Sequence, residues 1–122
     1  MAKYEKNEVV KPIVLTDTET NERYTLEFNR ESVKFAEDRG FSIDDVTRYP
    51  MVKSIELFWF AFRMHHKNIS KEKAERILFD DMGGMPKGML ERLVQLYNEP
   101  FDTLVNDEDD GEVKNSKMMV EL

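Results

Sequence analysis

"ELFWFAFRMHHKN", residues 56 to 68, decides the fold. It gathers Phe58, Phe60 and Phe62 around the one tryptophan of the chain, Trp59, and ends on its only two histidines, His65 and His66. At about 100° per residue, Met51, Ile55, Phe58, Trp59 and Phe62 fall within one broad sector, the stripe a core-facing helix requires. Glu56, Arg63 and Lys67 share a second sector. Leu57, Phe60 and Met64 form a further apolar stripe beside those charges. The pattern predicts a helix from Pro50, a residue suited to a first helical turn, to about His66. Such a helix, apolar nearly all round, belongs in the middle of a small core, covered by a hairpin and by later helices. The other reading leaves Leu57, Phe60 and Met64 as an apolar groove or an oligomer interface.

On the N-terminal side, residues 10–28 read as a β-hairpin. Ile13 and Leu15 alternate with Val14 and Thr16, and Tyr24, Leu26 and Phe28 alternate with Arg23, Thr25 and Glu27, the period of a half-buried strand. Asp17 to Glu22 is a polar turn, and Pro12 restricts the first strand to an edge or a strand start. Asn29 can cap a helix that Gly40 ends, with Phe28 and Val33 as a hydrophobic staple. Ser42 can cap a short helix that stops before Pro50. On the C-terminal side, Ser70 caps a helix reaching about Met82, and Gly83-Gly84-Met85-Pro86 turns the chain. The next helix carries Met89, Leu90, Leu93, Val94, Leu96 and Tyr97, and Pro100 is expected to interrupt it. The fold class is therefore α+β, an N-terminal β-hairpin followed by a small bundle of four to five helices. A flexible N-terminus (1–9) precedes a single domain (10–105), and an acidic tail (106–122) follows.

The chain has 122 residues and a net charge of −7. That tail carries six acids and two bases, so it accounts for −4 of the total. Its composition predicts disorder, although Met118 to Leu122 could add a strand or dock on a partner. The charge argues against broad nucleic-acid binding, which needs a basic face. Without cysteine, thiol nucleophiles, thiolate metal sites and disulfides are excluded, which fits a reducing cytoplasm. No secretory leader is expected of MAKYEKNEVVKP, and the longest apolar run, Leu57 to Phe62, falls far short of the roughly twenty residues of a membrane span.

No motif carries chemistry. Adjacent histidines diverge on a helix, whereas helical metal pairs need spacings of three or four. Asp80, Asp81 or Glu99 would have to approach from elsewhere. Asp44-Asp45 and Asp80-Asp81 do not converge on one substrate, and Gly83 to Gly88 lacks the order of a phosphate loop. The expectation is a protein without catalytic residues, cofactor or metal.

The order of features resembles a known group. "YTLEFNRESVKFAEDRGFSIDDV", "LFWFAFRMHHKNISKEKAERILFDDMGG", "LERLVQLYNEPFDTLV" and an acidic tail, in that order, are similar to the small tail assembly chaperones of long-tailed bacteriophages and prophages of Gram-positive bacteria. The likeness runs from about residue 13 to 105 and is one of pattern, without a chemical motif. It implies a cytoplasmic protein, absent from the finished virion, that binds the helical tape measure protein and keeps it soluble. It also implies a frameshifted longer form that recruits the tail tube protein, this chain being the short form. On this reading Leu57, Phe60, Met64, Met82, Met85 and Met89 are the candidate partner-binding residues, with self-association open and no membrane or nucleic-acid partner. Phe60→Asp tests that surface. The alternative from another class is a small acidic adaptor or regulatory protein, such as a nucleic-acid mimic. A small metal-assisted hydrolase is a third reading, without a convergent ligand set to support it.

Overall fold

The computed structural model describes residues 9–104 and 117–122. The fold is α+β: a two-stranded antiparallel hairpin followed by five helices. The flexible stretch expected at 1–9 lies, apart from Val9, outside the described residues, as does most of the acidic tail. Residues 117–122 are exposed.

Strands β1 (Ile13–Thr16) and β2 (Arg23–Leu26) pair with Ile13 opposite Leu26 and Thr16 opposite Arg23. The turn follows from Asp17. Its Oδ1 accepts the N–H groups of Glu19 (2.8 Å) and Thr20 (3.1 Å), which also holds its carboxyl below the ordinary range. Asn21 then takes a positive φ of 65°, a conformation asparagine tolerates better than most residues. Tyr24, Leu26 and Phe28 are buried, as the alternation requires.

Helix α1 (Arg30–Asp38) starts with a reciprocal cap. Asn29 Oδ1 accepts the Ser32 N–H at 2.8 Å, and Ser32 Oγ accepts the Asn29 N–H at 2.9 Å. Asn29→Ala removes the first of these bonds and is expected to cost about 1–2 kcal/mol. Urea unfolding checks this, as a lower midpoint at unchanged slope. The helix ends at Gly40 (φ 85°): the Gly40 N–H donates to the Glu37 carbonyl and the Phe41 N–H to the Ala36 carbonyl, the paired bonds of a Schellman end. Phe41 and Ala36 are both buried beneath it.

A single short turn, α2 (Asp45–Arg48), leads into α3 (Pro50–Phe60), with Pro50 at the first helical position. Asp44, not Ser42, holds the cap position of α2, and its side chain makes no capping bond. Helix α3 also stops earlier than its periodicity implies. The Ala61 carbonyl, which would serve the next turn, accepts the N–H of Glu27, the residue after β2, at 3.0 Å. The His65 N–H then bonds the Phe62 carbonyl instead, and residues 61–65 form turns.

Ser70 caps α4 (Lys71–Arg76) by accepting the Lys73 N–H, and the chain continues into a π-helical turn, Ile77–Asp81. Helix α5 (Met89–Asp102) follows the glycine turn. Pro100 lies within α5 and does not interrupt it. Only one ladder donor is lost there, near the helix end, where Thr103 Oγ1 donates to the Pro100 carbonyl at 2.8 Å. The core is one cluster centred on Leu57, Phe58 and Phe62 of the α3 region, Leu26 of β2, and Leu93 and Leu96 of α5.

Candidate functional site

The six candidate partner-binding residues do not form one surface. Leu57 is fully buried and Phe60 is 3 % exposed, so both are core residues, a correction to their assignment as an outer stripe. The reason is packing across the second stripe of α3. The Phe60 ring meets Phe41 edge-on at 5.3 Å and Phe35 of α1 at 6.0 Å, with Trp59 alongside at 4.8 Å. Met89 is also buried. Met64, Met82 and Met85 are half-buried. Met64 lines a groove of about 460 Å³ against α1, beside Phe35, Arg63 and Lys67. Met82 lines a different groove, of about 510 Å³, between the hairpin turn and the π-helical turn.

That second groove is edged by Asp17, Glu19, Glu22, Asp80 and Asp81, with Lys73 among them. In the first, Phe35 is held by cations. The guanidinium of Arg39 stacks over its ring at 3.7 Å and that of Arg63 at 3.9 Å.

Both histidines act on β2. His66 Nε2 accepts the Thr25 N–H at 3.0 Å, so its proton resides on Nδ1. The ring sits edge-on to Tyr24 and Phe62. Burial, then the neighbouring His65, push the His66 pKa below its ordinary value, against an opposing pull from Glu22. His65 Nε2 lies 2.8 Å from Glu27 Oε1. Together with the Ala61 carbonyl, these contacts cover the outer edge of β2. The Nε2 atom of each ring is thus engaged within the fold. Among the described residues no three His, Asp or Glu side chains are grouped closely enough to hold a metal. Nor is any described helix long and apolar enough to cross a membrane.

The exposed apolar side chains lie elsewhere. Tyr49, Met51 and Val52 stand out where α2 meets α3, Met51 at 71 % exposure. Phe79 is exposed on the π-helical turn, and Phe101 and Leu104 at the end of α5. Helical phase placed Met51 on the core face, yet the buried residues of α3 are Leu57, Phe58 and Phe60. Met51 lies in the first turn of α3, and phase carries no information on depth along the axis. The Tyr49-Pro50 junction was the available signal, since it marks where a new helix leaves its neighbour.

A family model described as a domain of unknown function, DUF5055, matches residues 1–122, the whole chain. No curated protein and no solved structure matches it.

Proposed function

We propose, for this chain, which belongs to the DUF5055 family, that it is a non-catalytic tail assembly chaperone of a long-tailed phage or prophage. In this role it works in the host cytoplasm, binds the tape measure protein and keeps it soluble until the tail tube assembles around it. The ordered likeness of residues 13–105 to that group supports the reading. The structural observation that favours binding is the exposed apolar corner of Tyr49, Met51 and Val52, which the core of this chain does not cover. A client made of long amphipathic helices offers apolar stripes to such a corner. The surface is therefore reassigned from Leu57 and Phe60 to this corner, with Met64 and Met82 at the two grooves as secondary contacts. A frameshifted longer form reaching the tail tube protein belongs to the same proposal.

Coexpression with the tape measure protein is the test. The client is expected to be largely insoluble alone and soluble with this chain. Met51→Asp with Val52→Asp is expected to lower the soluble fraction several-fold while the melting temperature stays within a few degrees, because both side chains are exposed. A client that stays insoluble beside the wild-type chain overturns the proposal. A double variant that rescues as well as wild type removes the corner from the surface.

A further inference from the structure

The hairpin has two edges, and they are treated differently. On the β2 side the outward N–H groups of Thr25 and of Glu27, just past the strand, are taken by His66 Nε2 and the Ala61 carbonyl. Because Thr25 points outward and faces Val14 in the register, Val14 and Thr16 present their N–H and C=O groups on the free edge of β1. Those groups have no partner among the described residues, and Val14 is 45 % exposed. Ile13 and Leu15 are left half-buried beside the same edge.

We propose that this edge pairs with the β1 edge of a second copy, antiparallel about a two-fold axis at Val14, to make a four-stranded sheet across a dimer. The sequence of the strand is self-complementary in that register. Val14 meets Val14 of the partner subunit, and each donates its N–H to the other's carbonyl. Thr16 donates its N–H to the carbonyl of the partner's Pro12, so the missing N–H of Pro12 costs no bond that Thr16 donates. Ile13 lies beside the partner's Leu15 on the core-facing side. Lys11 comes opposite the partner's Asp17, twice by symmetry. Asp17 is suited to this because both of its turn hydrogen bonds are accepted by Oδ1. Sliding the register so that Val14 faces Thr16 instead sets Ile13 against the carboxylate of Asp17. The same Lys11 that discourages unrelated strands from joining an edge therefore selects one that carries an acid at the matching position.

Sedimentation velocity of the full chain, from low-micromolar to sub-millimolar concentration, reads the result, with amide hydrogen exchange at each end of the range. The wild type is expected to shift from monomer to dimer, and the Val14 and Thr16 amides are expected to gain protection as it does. Val14→Lys sets like charges opposite each other at the axis and is expected to abolish the dimer. Lys11→Glu is expected to raise the dissociation constant about tenfold or more, since both symmetric charge pairs become repulsive. Both side chains are exposed, so the monomer fold should melt as before. A chain that stays monomeric throughout overturns the proposal. So does a dimer that both variants leave intact, or one that forms without protecting Val14 and Thr16. Dimer formation is read without any client, so its failure is separate from failure of the chaperone reading.

Discussion

Phe60→Asp is expected to abolish cooperative folding. The substitution removes a ring that three aromatic neighbours enclose, which for a buried phenylalanine costs about 3–5 kcal/mol. It also places a carboxylate at a position that is only 3 % exposed, among aromatic rings that offer it no hydrogen bond. Domains of this size hold only about 5–15 kcal/mol in total, so the sum reaches the stability of the whole fold. Circular dichroism should show no sharp thermal transition, and the amide spectrum should collapse toward random-coil dispersion. A transition within a few degrees of wild type would return Phe60 to the surface. The same substitution was the natural test of a partner-binding stripe. In this structure it reports on folding, and Met51 and Val52 take its place for binding.

His66→Ala is expected to cost about 2 kcal/mol, through an unpaired Thr25 N–H and lost ring packing against Tyr24 and Phe62. It should also change the response to acid. His66 accepts a hydrogen bond only when Nε2 is unprotonated, and its folded pKa lies below the ordinary 6.5. The unfolded chain therefore takes up a proton first as the pH drops. The contribution of His66 is complete above about 6.5, falls as the pH falls from there through the lowered folded value, and then levels off. His65, Glu22 and Glu27 face the same region, and Arg63 and Lys67 line the small cavity that His66 borders. They are common to both proteins, so the comparison with His66→Ala cancels most of their effect. Urea midpoints measured between pH 7.5 and 5 should converge as the pH is lowered. Parallel curves would mean that the imidazole is not the titrating group.

Local chemistry made much of the fold readable. Asn29, Gly40, Pro50 and Ser70 each act within a few residues of themselves, and each sits where its cap, turn or first-turn role requires. The hairpin alternation is equally local. What the sequence did not disclose depends on distant partners. Phe60 is buried because Phe35 and Phe41 close over it, and nothing in the spacing of α3 says which side α1 will take. Helix α3 is shortened by a carbonyl lent to Glu27, a residue thirty-four positions earlier. Phase alone could not tell that Met51 is exposed. The two histidines offered no helical spacing to read, and their contacts at the edge of β2 needed the strand to be in place. The candidate site was accordingly the least legible part: it rested on helical phase, and three of its six residues are buried.

One tether has a consequence for the order in which the molecule is completed. Val10, just ahead of the hairpin, donates its N–H to Glu99 Oε2 at 3.0 Å, across a separation of 89 residues. A chain emerging from the ribosome exposes its hairpin segment first and can make this anchor only once Glu99 has been added. Until α5 is present, the start of the hairpin is unsecured, and the aromatic rings of α3 lack the helix that carries Leu93 and Leu96. Completion of the core is thereby deferred until α5, which carries Leu93 and Leu96, has been made. A nascent fragment stopping short of α5 should be the species most prone to aggregate.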